Sequence, residues 1–295
     1  MTLQKARNFL GNYFFILPAF LLFSTFSLYP YFNMFYLSVT NWDGISSSVT
    51  FVGLENFKDI FSDNAVFWLS MKNAGIITFL ALTVQNFLAL ILAFLCDRDI
   101  RGGNIYRVIF YLPPVLSGIV VALIWNWIYD GNYGLLNHFL ERIGLGDLSR
   151  AWTSDPKTAL FAVAVIHMWK GFGWGFVILL AGLQSIPREL YEAARVDGAN
   201  GWVVFKNITA PLMIPVFILV SILTILGTMQ IFDIIYATTG GGPGYHTEVP
   251  ITRIYAMMIG SSKFGYACAM GVVFGAVLLI ISMIQIRVSK MMRQV

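Results

Sequence analysis

Six stretches of the chain reach about the 20 apolar residues that a helix needs to cross the hydrocarbon core of a bilayer. They run roughly 12–37, 74–96, 105–129, 158–183, 212–236 and 264–287. Each is read as a transmembrane helix, because in lipid a helix satisfies all of its backbone polar groups within the segment. Polar segments separate the runs: Thr40 to Asn73, a tight connector from Asp97 to Asn104, Asp130 to Lys157, residues 186–211, and a Gly-rich stretch from Thr238 to Lys263. No segment is left for a second soluble domain. The expected fold is an all-α membrane protein of six transmembrane helices, with residues 1–295 forming a single domain.

Composition supports that pattern. Of the 295 residues, 58% are hydrophobic and only 12% charged, with a mean hydropathy of +0.73; soluble domains carry about 25% charged residues. Pro18 and Pro30 bracket a first run too long for the apolar region of a signal peptide, so it is expected as a retained span. A pI near 9.0 raises the question of nucleic acid, but the net charge is only +4 and the basic residues sit at the ends of apolar runs. Anchoring at the lipid interface explains them better, and no nucleic-acid partner is expected. Cys96 and Cys268 lie at the end of one span and inside another, which suggests neither a disulfide framework nor a metal site.

The basic residues also set an orientation. Lys5, Arg7, Arg98, Arg101, Arg107, Arg188, Arg195, Lys206, Arg287, Lys290 and Arg293 fall on one side of the six-span scheme, eleven in all. The other side holds seven: Lys58, Lys72, Arg142, Arg150, Lys157, Arg253 and Lys263. The positive-inside rule then places both termini, and the segment 186–211, in the cytoplasm.

That cytoplasmic segment reads IPRELYEAARVDGANGWVVFKNITAP. Pro187 suits a first helical turn, and Leu190, Ala193, Ala194 and Val196 make a small apolar stripe. Gly198 stands where a left-handed cap would end the helix. Asn200 can cap a second short helix holding Trp202 and Phe205, which Pro211 is expected to close. The small residues Ala193 and Ala194 permit close approach of another surface, and Glu192 and Arg195 supply charge for pairing. An amphipathic helix lying at the lipid interface accounts for the same residues.

The spacing Glu192-Ala193-Ala194, three residues, Gly198, nine residues, Ile208, two residues, Pro211 resembles the EAA loop of ABC importer permeases, EAA-x3-G-x9-I-x-L-P. Ala210 stands where that pattern usually has Leu, a change that bears on packing of the second helix. In that family the elbow is a coupling helix seated in a cleft of a cytoplasmic ATPase. The resemblance therefore implies ATPase coupling for Glu192, Ala193, Ala194, Asp197, Gly198 and Ala199. A second signature, Ala237-Thr238-Thr239-Gly240-Gly241-Gly242-Pro243 with Thr247 and then Phe264-Gly265-Tyr266-Ala267, is similar to carbohydrate-importer permeases of the maltose and glycerol-phosphate type. Leu112-Pro113-Pro114 extends the likeness over nearly the whole chain. It implies a permease in the bacterial cytoplasmic (inner) membrane, paired in a heterodimer with a second homologous permease. Two ATP-binding cassette subunits and an extracytoplasmic sugar-binding protein complete the implied assembly. ATP and magnesium would sit on the partner ATPase, with no cofactor on this chain.

Ionisable groups inside a span cost about 2.5–3.5 kcal/mol at a helix centre, so they face a cavity or a partner. His167, Lys170 and Asp233 qualify. His167, Lys170, Gly171 and Trp174 share one face of the fourth span at i, i+3, i+4, i+7 spacing. Thr224, Gly227, Thr228 and Ile231 make a similar face on the fifth, with Gln230 and Asp233 on a neighbouring stripe. Aromatic faces beside hydroxyl, amide and carboxyl groups are what a sugar site requires, and the resemblance puts sugar contacts on these two faces. Helix packing is the competing role for the small and hydroxyl residues. For Asp233 the competing reading is a position near the outer end of its span, paired with a Lys or Arg. Trp125 and Trp127 read as interface-belt aromatics.

The chain has no G-x-x-x-x-G-K-[ST] phosphate loop, so its energy must come from another subunit and it is read as a transport subunit, not an enzyme. An intramembrane hydrolase would need a nucleophile with its base, paired aspartates or H-E-x-x-H within the spans. An ion-coupled transporter would favour broken helices and inverted repeats, where the EAA elbow has no role.

Overall fold

The computed structural model describes residues 15–97 and 102–292. Residues 12–14 of the first expected span, and Lys5, Arg7, Arg98, Arg101 and Arg293 of the charge count, lie outside the described residues. Helices are the regular secondary structure of the described residues, with one isolated bridge between Thr40 and Phe51. Five helices are long and apolar enough to span a membrane: α1 (Phe15–Ser38), α3 (Ala65–Asp97), α7 (Ala159–Gln184), α9 (Gly201–Met229) and α12 (Phe264–Met292). A bent pair, α4 (Gly103–Val115) and α5 (Gly118–Ile128), makes the sixth apolar region. Short helices α2 (Glu55–Ser62), α6 (Leu135–Arg142), α8 (Arg188–Val196), α10 (Asp233–Thr238) and α11 (Pro250–Tyr255) lie in the connecting segments.

Two compact units divide the chain: residues up to Asn64 with Ile254–Val277, and Ala65–Arg253 with Leu278–Val295. In the first, α1 exposes Phe15, Phe20, Phe26 and Phe32, as suits a helix bathed in lipid. Its C-terminal end is held by Asn56 of α2, whose buried amide donates to the carbonyls of Ser38 and Thr40 at 2.9 and 2.8 Å. The Asn64 amide donates to the Tyr266 hydroxyl of α12 at 2.8 Å.

In the second unit α7 is the central helix, packed on α3, α4 and α9. Association in lipid relies on close packing by small residues. Gly173 shows it: a Cβ there would lie 2.4 Å from the Phe110 carbonyl oxygen of α4. Ala89, Ala93, Phe176, Leu179, Leu183, Met213 and Val220 form the buried seam among α3, α7 and α9.

Four expectations need correction. The third apolar run is not one straight helix: α4 and α5 meet at 99°. Pro113 and Pro114 end α4, Leu116 is extended, and the Ser117 side chain caps α5 by accepting from the Val120 N–H at 3.3 Å. The second run starts nine residues early, at Ala65, because Val66, Phe67, Trp68 and Leu69 continue the apolar pattern beyond the polar pair Lys72-Asn73. Pro211 does not close a helix. A wide π-helical turn at Phe205–Thr209, in which the Ala210 N–H donates to the Phe205 carbonyl, carries the chain past it, so α9 is continuous from Gly201 to Met229. The fifth run also ends at Met229, short of 236, and α10 begins afresh at Asp233.

Candidate functional site

A cavity of about 540 Å³ opens where α3, α7, α9 and the α9–α10 connection converge, within the second unit. From α7 it is lined by His167, Lys170, Gly171 and Trp174, and from α9 by Thr224, Gly227 and Thr228. Gln230 and Ile231 line it from the connection, and Asp233 from the start of α10. All ten residues singled out on the two helical faces therefore border one space. The i, i+3, i+4, i+7 rule brought the α7 set together, while the break after Met229 turns Gln230 and Asp233 toward the same side.

Hydrogen bonds set the wall. The Thr228 hydroxyl lies 2.7 Å from the Thr224 carbonyl, to which it can donate, and 3.1 Å from His167 Nε2, which joins α7 to α9 across the wall. The Thr224 hydroxyl lies 2.8 Å from the Val220 carbonyl and 3.0 Å from Asn86 Oδ1 on α3. Trp174 is 55% exposed and meets Tyr111 edge to face at 5.4 Å, leaving indole surface open to the cavity. Lys170 and Asp233 add one charge of each sign. Asp233 has no Lys or Arg within ion-pair distance among the described residues; its Oδ1 accepts from the Ile234 N–H at 2.9 Å. A Cβ on Gly227 would meet nothing within 4 Å, so that position faces open space.

Gln85 of α3 also lines the cavity and was missed by the search for ionisable groups. Its signal in the sequence was an uncharged amide pair, Gln85-Asn86, in mid-span. Trp125 and Trp127 do not line the cavity. Trp125 packs edge-on against Trp169 at 5.8 Å, and Trp127 is 82% exposed.

The elbow after α7 forms a second feature. Gly198 has φ +72°, its N–H donates to the Arg195 carbonyl at 3.1 Å, and the Ala199 N–H donates to Ala194 at 2.9 Å. This pair of bonds is the Schellman arrangement that satisfies the last carbonyls of α8. Asn200 Oδ1 accepts from the Val203 N–H at 3.0 Å and caps α9. Glu192, Ala193, Asp197 and Gly198 are exposed, Ala199 is partly so, and Ala194 is buried. The Tyr191 hydroxyl, 3.2 Å from that of Thr209, ties α8 to α9.

The described residues thus form span-length apolar helices around a cavity whose largely apolar wall carries a few polar side chains. The chain belongs to the family described as binding-protein-dependent transport system inner membrane component, whose pattern matches residues 85–294. It is 36% identical over 286 residues to the probable ABC transporter permease protein YurN of Bacillus subtilis, covering 96% of this chain and 97% of that one. To the trehalose/maltose transport system permease protein MalF of Thermococcus litoralis it is 31% identical over 289 residues, covering 98% and 97%. Its fold matches the crystal structure of a bacterial ABC transporter involved in import of the acidic polysaccharide alginate. The TM-score is 0.83 at 22% identity, with 97% of each chain covered. The chain is thus a multi-pass inner-membrane permease of an ABC importer.

Proposed function

We propose that the chain carries a sugar or oligosaccharide across the bacterial cytoplasmic membrane, as one of two homologous permeases, through the cavity between α7 and α9. The observation that carries this reading is the meeting of Trp174, His167, Thr224 and Thr228 around one space of about 540 Å³. An indole face suits the apolar face of a sugar ring, and imidazole and hydroxyl groups suit its OH groups. One charge of each sign, from Lys170 and Asp233, favours a neutral polyhydroxyl solute over a phosphate. Relatives named for multiple sugars and for trehalose and maltose support the class of solute.

In this reading residues 1–295 act as one permease domain with both termini in the cytoplasm. The exposed elbow Glu192–Ala199 seats in a cleft of one of two ATP-binding cassette subunits, which hold the ATP and magnesium. An extracytoplasmic binding protein delivers the sugar. The test is uptake into proteoliposomes holding the tagged chain with its co-purified partners. Labelled maltose, trehalose, diacetylchitobiose and sn-glycerol-3-phosphate serve as probes, after the solutes for which relatives are named. Uptake of a sugar that requires internal ATP supports the proposal; uptake driven by an ion gradient without ATP, or uptake by the chain alone, contradicts it.

A further inference from the structure

We propose that Gln85 recognises the carried solute: from α3 its carboxamide hydrogen-bonds sugar hydroxyls, giving the cavity a third recognising wall. The inference rests on the sugar-path reading above and adds a residue from a helix outside the two faces on which that reading stands.

Gln85 is 5% exposed and lines the cavity, yet its Oε1 is buried without a hydrogen-bond partner. Buried polar atoms are nearly always paired, and each exception calls for an explanation. The neighbouring amide differs in placement: Asn86 is fully buried away from the cavity, and its Oδ1 is engaged by the Thr224 hydroxyl at 3.0 Å, joining α3 to α9, while its Nδ2 is without a partner among the described residues. For packing alone, a methionine or leucine would fill the place of Gln85 with no amide left unpaired.

Two features of the backbone place this side chain. Gln85 is the last residue of a π-helical turn, Ala81–Gln85, inside the otherwise α-helical α3. Such a turn inserts an extra residue and shifts the register of side chains, and it recurs at functional sites. Across from it stands Gly171 of α7, another cavity residue. A Cβ there would lie 2.8 Å from Gln85 Oε1 and 3.1 Å from both Cδ and Nε2. The amide therefore lies against bare backbone, in space that any larger residue at 171 would take. A glutamine offers two donors and an acceptor, and a sugar hydroxyl is both. Discrimination is steep when a site is built to bond a hydroxyl, because a solute lacking it leaves the buried group unpaired.

The test uses the assembled transporter in proteoliposomes, with labelled maltose, trehalose and diacetylchitobiose, and then monodeoxy analogues of whichever is carried best. Gln85→Met keeps length and removes the amide. It is expected to raise KM for the parent sugar about tenfold, the size of one hydrogen bond. Its effect on the analogue lacking the bonded hydroxyl should be small, so discrimination between the two collapses. Unchanged KM with unchanged ranking of the analogues overturns the proposal. A second measurement holds if Gln85→Met fails to assemble. Gln85→Cys, with Cys96→Ala and Cys268→Ala, is treated with 2-aminoethyl methanethiosulfonate with and without the sugar. Slower labelling in the presence of sugar is expected, and labelling indifferent to it contradicts the proposal. If wild-type transporter carries none of the three sugars, the sugar reading itself has failed and the inference falls with it.

Discussion

Asp233 packs so closely on Gly118 that a methyl group on that glycine would lie 1.6 Å from the carboxylate Oδ2. The contact joins the first turn of α5 to the first residue of α10, and α5 and α10 pack together. It ties the helix that follows the 99° bend to a residue 115 positions away in the chain. Gly118→Ala should destabilise the chain by about 1–3 kcal/mol, the usual cost of overpacking. Adding Asp233→Ala should recover most of the loss, because residues in contact couple. Thermal unfolding in detergent of the two single variants and the double variant measures this. Strictly additive shifts would mean the two residues are not coupled.

A second prediction concerns pH and the Gly-rich loop. Asn73 of α3 pins that loop by donating to the carbonyls of Tyr245 and Glu248 at 3.2 and 3.0 Å. Burial pushes the Glu248 carboxyl above its ordinary 4.5, only partly opposed by a hydrogen bond from Thr252 and the charge of Arg253. A raised folded-state value means that the protonated form suits the fold. Its contribution is complete below pH 4.5 and is lost as pH rises through the folded value. Loop amides around Thr247 should therefore exchange hydrogen more readily, after correction for the intrinsic rate, as pH climbs above 4.5 and through the raised value. Glu248→Gln should remove the dependence and retain the low-pH protection throughout. Equal pH dependence in the two proteins would contradict the assignment.

The positions of the apolar runs were legible because lipid imposes a strong, one-dimensional requirement on length and polarity. The cap at Gly198 and the cap at Asn200 were legible for a different reason, since each depends on residues within one turn. The bend at Leu116-Ser117 was only half legible: the prolines announce an end to α4, but the contact of Asp233 with Gly118 just beyond it joins residues far apart in the chain. Continuity past Pro211 was not legible, because a π-helical turn supplies what proline's local rule denies. The α7 and α9 faces could be drawn from helical spacing. Gln85 could not, since the wide turn at Ala81–Gln85 displaces it from the ideal period and its amide carries no charge to draw notice.

The elbow yields a third prediction. Gly198 sits at φ +72°, and a Cβ there points into open space within the chain. Gly198→Trp should thus cost roughly 1 kcal/mol in backbone strain, too little to disturb the spans. A coupling helix seated in an ATPase cleft would nevertheless lose its seat. Pull-down of the ATPase with the variant should fall well below wild type, with uptake lost and membrane level unchanged. Normal retention together with normal uptake would show that the elbow rests at the lipid surface.

The central claim, that the cavity between α7 and α9 is the sugar's path, is tested most directly at Gly227, which borders the cavity and faces space that no other atom fills within 4 Å of an added Cβ. A phenylalanine ring there enters the cavity without colliding with the fold at its base. The measurement is ATP-driven uptake of labelled sugar by proteoliposomes containing the Gly227→Phe transporter at wild-type subunit stoichiometry. The account predicts uptake reduced at least tenfold or shifted to a smaller sugar. Uptake with wild-type KM and maximal rate would contradict it.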